Sequence, residues 1–210
     1  MDNTIRISAV LHRVIVGNCQ KSKTYAEKAI SDASNIQADI IALPLLSLVG
    51  ASSGDLLKQT SIVKECLDAV SAIAEQTADI NAYISLTSPV LRNGKAVIAN
   101  IVLHSGEILS ITPIDEEQPL FDCGGLKTVF ISSNPLNLML NATDYIKKGV
   151  QLIVNASAIP VTVGDIEKAR EIAKAFSQST GCAVALCNGN IGESTSPFVY
   201  QGFAGVFEAG

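Results

Sequence analysis

The chain has 210 residues, 48% of them apolar and 17% charged, enough to bury a sizeable core in one α/β domain. A formal net charge of −5 argues against nucleic acid or an anionic membrane surface as partner, since both bind clustered cationic residues. No apolar run reaches the roughly 18 residues of a membrane span, and Met1-Asp2-Asn3 leads into a strand pattern without a basic stretch or cleavage site, so the expected compartment is the cytoplasm.

Residues 5–11 alternate as a strand, and residues 21–35 carry Tyr25, Ala29, Ile30 and Ala33 at helical spacing. Residues 40–43 form an uninterrupted apolar run, as expected of a strand covered on both faces. Residues 55–77 read as one long amphipathic helix, capped around Ser53, with Leu56, Ile62, Val63, Cys66, Leu67, Val70 and Ile73 on one stripe. Residues 80–86 form the next strand, followed by a hairpin-like pair, 96–104 and 108–112, joined at Ser105-Gly106-Glu107. Residues 126–132, 152–156 and 183–188 read as buried strands, separated by helices over 138–148 and 165–180, and residues 198–206 as a last strand. With no internal repeat or linker, this order suits one domain over residues 1–210, a four-layer α-β-β-α sandwich of two sheets with helices on both outer faces.

The five cysteines, Cys19, Cys66, Cys123, Cys182 and Cys187, contain no CxxC pair and are odd in number, so neither a disulfide framework nor a zinc site is written in their spacing. Cys123 stands apart because Phe121-Asp122-Cys123-Gly124-Gly125 reads as a loop whose backbone freedom could expose a thiolate. His12 and His104, the only histidines, lie far apart and suit ordinary polar or edge positions. Lys147-Lys148, the only adjacent basic pair, reads as a solvated charge at a helix C-terminus. Neither Gly189-Asn190-Ile191-Gly192 nor Cys123-Gly124-Gly125 has the strand-to-helix setting of a phosphate loop, and no cofactor or metal is expected.

The segment Asp39-Ile40-Ile41-Ala42-Leu43-Pro44-Leu45-Leu46-Ser47-Leu48-Val49-Gly50 says most about function. An apolar strand that ends in Pro and a small-residue turn delivers the next side chain to the rim of a buried sheet, a usual place for a general base. Here that side chain is Leu45. The segment resembles the "FPELxLxG" stretch of the carbon–nitrogen hydrolase (nitrilase) superfamily. Ala51-Ser52-Ser53-Gly54-Asp55-Leu56-Leu57, which follows it, is similar to the "GYxxxDLL" of the glutaminase domain of glutamine-dependent NAD synthetases. The resemblance continues through Ile5-Arg6-Ile7-Ser8-Ala9-Val10 with Val16-Gly17-Asn18, and through the hairpin Val97-Ile98-Ala99-Asn100-Ile101-Val102-Leu103 with Gly106-Glu107-Ile108-Leu109. Leu152-Ile153-Val154-Asn155-Ala156-Ser157-Ala158-Ile159-Pro160-Val161-Thr162-Val163-Gly164 is similar to "LxNLSxSPxTxG", and Gly192-Glu193-Ser194-Thr195 to a "GEST" turn.

That resemblance implies glutamine hydrolysis by a Cys nucleophile, a Glu that takes its proton and a Lys that stabilises the oxyanion. Matched residue by residue, the Glu position is Leu45, the Lys position Ile114 and the Cys position Ser132. The expectation is therefore a degenerate triad, with Leu45 and Ile114 mostly buried beside Ser132, and a domain inactive as an amidase. Its expected role is structural, in a homo-oligomer built through the helical faces 138–148 and 165–180 and the segment 158–163. One alternative is a working glutamine amidohydrolase that supplies ammonia for NAD synthesis with a displaced nucleophile, Cys123 or Ser132, and another is a small-molecule sensor. Glu193 stands as a retained supporting carboxylate or as a cap on the Ser194-Thr195 turn. No "SGGxDS" ATP signature is present, so the resemblance implies a domain truncated at its C-terminus or part of a longer NAD synthetase chain, with a synthetase domain in cis.

Overall fold

The run Ile40-Ile41-Ala42-Leu43 is apolar on both sides of its pleat, so it is stable only where both faces are covered. In the computed structural model, which describes residues 4–189, 193 and 198–210, β2 (Ile40–Ala42) lies between β1 (Ile7–Ala9) and β3 (Tyr83–Arg92), parallel to both. β4 (Lys95–His104) and β5 (Glu107–Pro113) follow as antiparallel hairpins, which completes a five-stranded sheet in the order β1-β2-β3-β4-β5.

The second sheet is built from β6 (Leu120–Cys123), β7 (Leu126–Ser132), β8 (Leu152–Ser157), β9 (Ala183–Asn188) and β10 (Phe203–Phe207), in the order β10-β9-β8-β7-β6. Its central strands β7, β8 and β9 run parallel, and antiparallel edges flank them.

The two-residue period of each strand sorts its side chains into layers. Ile41, Leu43, Ile84, Ile101 and Leu103 face α1 (Cys19–Asn35) and α2 (Thr60–Gln76), which cover the first sheet. Val129, Ile131, Ile153, Val184 and Leu186 face α4 (Asp165–Thr180), whose Ala173 and Phe176 cover the second. Ile40, Ala42, Val102, Phe130, Leu152, Val154 and Ala185 meet between the sheets. The expected α-β-β-α sandwich is thus the observed fold.

Several element boundaries differ from the sequence reading. The single helix over 55–77 is instead the end of a 3₁₀ segment, Ala51–Lys58, and then α2, because Gln59 between them is extended. Ser53 does not cap α2: its hydroxyl donates backward to the Val49 and Gly50 carbonyls at 2.7 and 2.6 Å. The helix over 138–148 is likewise a 3₁₀ segment, Pro135–Asn141, followed by the short α3 (Ala142–Lys147), with Asn134 accepting from Leu136 N at its start. Lys147 and Lys148 lie exposed at the C-terminal end of α3 as expected, and Lys148 Nζ also reaches Glu117 at 2.7 Å. Of residues 198–206, only the part from Phe203 onward is strand, and Tyr200 forms an isolated bridge to Pro160. Ser194-Thr195 and Asn190-Ile191-Gly192 lie outside the described residues, as do Met1-Asp2-Asn3.

Phe130 fills the inter-sheet layer, buried against Phe121 edge-on at 5.6 Å between ring centroids. Replacing it by Ala leaves a cavity that neither sheet can close. Phe130→Ala is expected to lower unfolding free energy by about 3–5 kcal/mol, read from the midpoint of urea denaturation at unchanged slope.

Candidate functional site

Strand parity sets where Ser132 and Asn100 point. Ser132 shares a face of β7 with Phe130, and Asn100 shares a face of β4 with Val102, so both polar side chains enter the largely apolar space between the sheets. There Ser132 Oγ donates to Asn100 Oδ1 at 2.5 Å. Asn100 Nδ2 donates in turn to Gln118 Oε1 at 2.9 Å, and Gln118 Nε2 donates to the carbonyls of Pro113 and Glu116. The hydroxyl is therefore held by an amide, a neutral acceptor that cannot take its proton.

Leu45 arrives from the other sheet. Beyond β2 the chain turns at Pro44; Leu45 N donates to Ser157 O at 3.4 Å, and Leu46 N, at a residue with φ +52, donates to Thr87 Oγ1 at 2.5 Å. Ile114 follows β5 and is tied by its N–H to Ile98 O at 3.0 Å. Leu45, Ile114 and Ser132 thereby line one cavity of about 200 Å³ together with Ser133, Asn134, Ser157 and Pro160. None of the residues lining it carries a titratable side chain.

Half of the expected burial is absent. Ser132 is 9% exposed and Leu45 is partly buried, but Ile114 is 37% exposed. The reason is its place just after the edge strand β5, with which no further strand pairs among the described residues. A second cavity of about 370 Å³ shares Ile114, Ser132 and Ser133 and adds Asp115, Glu116, Glu117, Asp144 and Lys148. Two of its carboxylates are engaged in ion pairs, Glu117 with Lys148 at 2.7 Å and Glu116 with Arg92 at 2.6 Å. The Lys148 ammonium holds the Glu117 carboxyl below its ordinary value.

No protein-family model matches the chain. The glutamine-dependent NAD(+) synthetase of Aquifex aeolicus is 29% identical over 199 residues, covering 82% of this chain and 33% of that protein. The chain spans 33–36% of the length of the curated relatives it matches. The crystal structure of a glutamine-dependent NAD(+) synthetase from Cytophaga hutchinsonii superposes over 98% of this chain and 39% of that one, with TM-score 0.84 at 17% identity. A glutamate-to-leucine mutant of the amidase from Nesterenkonia sp. AN1, an enzyme of the nitrilase superfamily, superposes over 100% of this chain and 85% of that one, with TM-score 0.82 at 16% identity. The fold is that of the carbon–nitrogen hydrolases.

Within that nitrilase fold Cys123 is not the loop residue that its glycines suggest. It ends β6, and Gly124-Gly125, both at positive φ, form the two-residue turn into β7, with Asp122 Oδ1 accepting from Gly125 N. The thiol is 1% exposed in the inter-sheet layer and lines neither cavity, and burial pushes it up to about 11. Cys123 is thus a core residue that stays protonated at neutral pH. His104 stacks on Tyr83 at 4.4 Å between ring centroids. His12 is buried with Nδ1 on Arg13 O, and burial lowers its pKa against the raising effects of that bond and of Glu193. Among the described residues no His, Cys, Asp and Glu group could hold a metal ion, and no helix is long and apolar enough to cross a membrane.

Three residues escaped the sequence reading in their actual roles. Asn100 sits as one amide inside an apolar strand, and its parity with Val102 was the available signal. Gln118 had none. Glu193 is only 3% exposed and accepts from Ser52 N at 2.9 Å, which braces the turn after Gly50. Gly50 has φ +98, and a Cβ there would meet Glu193 Oε2 at 3.3 Å and Val16 at 3.0 Å.

The Ser132–Asn100 bond should register as stability. Ser132→Ala removes the donor and leaves a buried amide oxygen short of a partner, an expected loss of about 1–3 kcal/mol in urea denaturation.

Proposed function

We propose that this chain is a degenerate glutaminase-like domain of the carbon–nitrogen hydrolase type, inactive as an amidase, that serves as a structural and assembly module alongside a synthetase domain using free ammonia. The observation that carries the reading is the 200 Å³ cavity in which Leu45, Ile114 and Ser132 meet without a titratable side chain. Attack on an amide carbonyl needs a nucleophile relieved of its proton and a donor or cation for the oxyanion. Among the described residues the acceptor of the Ser132 hydroxyl is Asn100, and an aliphatic side chain stands where the resemblance implies the lysine. The Nesterenkonia amidase sharpens the comparison: its glutamate-to-leucine mutant is described with the acetamide moiety of fluoroacetamide added covalently at the active site cysteine. Losing a glutamate there leaves a reactive sulfur. In this chain the matched nucleophile is a hydroxyl as well, which supports inactivity more strongly than Leu45 alone.

The test is ammonia release from glutamine by the purified chain. The expected result is no hydrolysis above the solvent rate. Release that disappears in Ser132→Ala overturns the reading in favour of the amidohydrolase. The triple change Leu45→Glu, Ile114→Lys and Ser132→Cys should fall short of full activity, because the exposed Ile114 side leaves water in the site.

Assembly has its own support. Met139, Leu140, Ile146, Val161 and Val163 are exposed apolar side chains on the 3₁₀–α3 segment and just before α4, the faces from which the sequence predicts pairing. A two-fold dimer burying on the order of 1,600 Å² in total is the expected species, measured by light scattering at micromolar concentration. A clean monomer sinks the assembly role and moves weight to the sensor reading, which the two adjoining cavities favour.

A further inference from the structure

Two thiols that spacing does not connect meet beneath the cavity. Cys19 is the first residue of α1, in a turn closed by Asn18 Oδ1 accepting from Lys21 N. Cys66 lies on the buried face of α2. The packing of α1 on α2 against the first sheet brings their sulfurs to 2.8 Å, with both residues fully buried. A disulfide bond is about 2.05 Å long, so a shift of less than about 1 Å closes the gap. The other three thiols are placed elsewhere: Cys123 and Cys187 lie between the sheets, and Cys182 lies under α4.

The pair is also electrically asymmetric. The hydrogen bond from Cys66 draws Cys19 below the ordinary thiol value despite its burial, and the first turn of α1 adds the positive end of a helix dipole. Cys66 is pushed upward by the same bond and by burial. This asymmetry favours Cys19 over Cys66 as the thiolate.

We propose that Cys19 and Cys66 form an oxidative modification site, closed by a peroxide into an intramolecular disulfide that ties the first turn of α1 to the middle of α2. The Cys19 thiolate attacks one oxygen of hydrogen peroxide, the O–O bond breaks, and hydroxide leaves from a Cys19 sulfenic acid. Cys66 sulfur then attacks the Cys19 sulfur, the S–O bond breaks, and the departing hydroxide takes the Cys66 proton as water. Two thiols are oxidised by two electrons, and one peroxide is reduced to two waters.

The bond would act directly on the floor of the cavity. Cys19 and Cys66 share one apolar cluster with Leu46 and Val49, and Leu45 and Ile98 pack against it. Ile98 carries Ile114 through its carbonyl. Closing the pair therefore fixes the layer from which both Leu45 and Ile114 are held, whatever the cavity does.

The experiment uses the full chain, fully reduced and then incubated with hydrogen peroxide until thiol loss levels off. Non-reducing peptide mapping by mass spectrometry should find a Cys19–Cys66 linked peptide with loss of two hydrogens, and titration in denaturant should lose two of the five thiols. The melting temperature should rise on the order of 10 °C, since a loop of this span is closed in the unfolded chain, and dithiothreitol should reverse both changes. Cys182→Ala should keep the link and Cys66→Ala should lose it. If Cys66→Ala does not fold, the map of the unaltered chain decides alone. Five titratable thiols after peroxide, or a link between any other pair, overturns the proposal.

Discussion

The space between the two sheets is the constraint on which the site depends. Both sheets are covered on their outer faces by helices, so their inner faces meet only each other, through Ile40, Ala42, Val102, Phe130, Leu152 and Val154. A polar side chain that strand parity turns into this layer must find a partner there or pay the cost of an unsatisfied group. Ser132 and Asn100 are two such side chains, and they answer each other across the gap. Gln118 completes the chain by reaching from the amide to two backbone carbonyls near the end of β5. The chemical state of Ser132 follows from that packing: its hydroxyl is spent as a structural donor.

The turn after β2 shows the same economy of polar groups. The segment from Pro44 to Gly50 leaves the first sheet and crosses toward the second, where Leu45 N meets Ser157 O. Leu46 adopts a left-handed backbone, and Thr87 accepts from its N–H. Glu193 then closes the segment from the far end by accepting from Ser52 N. A buried carboxylate is tolerated only when hydrogen bonds satisfy it. Such bracing fixes the direction of Leu45 even though Leu45 performs no polar chemistry.

The cavity is lined without a titratable side chain, yet it is not filled as core. Leu45 and Ile114 are aliphatic where the resemblance implies a base and a cation, yet Ile114 remains 37% exposed and about 200 Å³ stays open between it, Leu45 and Ser132. Ile114 follows β5, the edge strand of the first sheet, where among the described residues no further strand pairs. Of the carboxylates along the adjoining cavity, Glu116 and Glu117 face Arg92 and Lys148 in ion pairs. The pocket is open and uncharged, lined by aliphatic side chains together with Ser132, Ser133, Asn134 and Ser157.

The layered α/β architecture was legible in the sequence because hydrophobic periodicity is local: runs such as residues 40–43 and 152–156 announce strands covered on both faces, and residues 165–180 announce a helix with one apolar stripe. The convergence of Leu45, Ile114 and Ser132 could be anticipated only through ordered motifs shared with a known family, and the exposure of Ile114 was hidden because no local pattern tells an edge strand from a central one. Helix boundaries failed where the local backbone left the helical path, as when Ser53 donated backward and Gln59 turned extended between the 3₁₀ segment and α2. Cys123 looked like loop because its two glycines are a turn signal, and only the pairing of β6 with β7 turned its thiol into the layer between the sheets. The meeting of Cys19 with Cys66, 47 residues apart, and of Glu193 with Ser52, 141 apart, came from tertiary structure alone. Sequence fixes which faces must be buried; which distant side chains then become neighbours is decided by how the buried faces pack together.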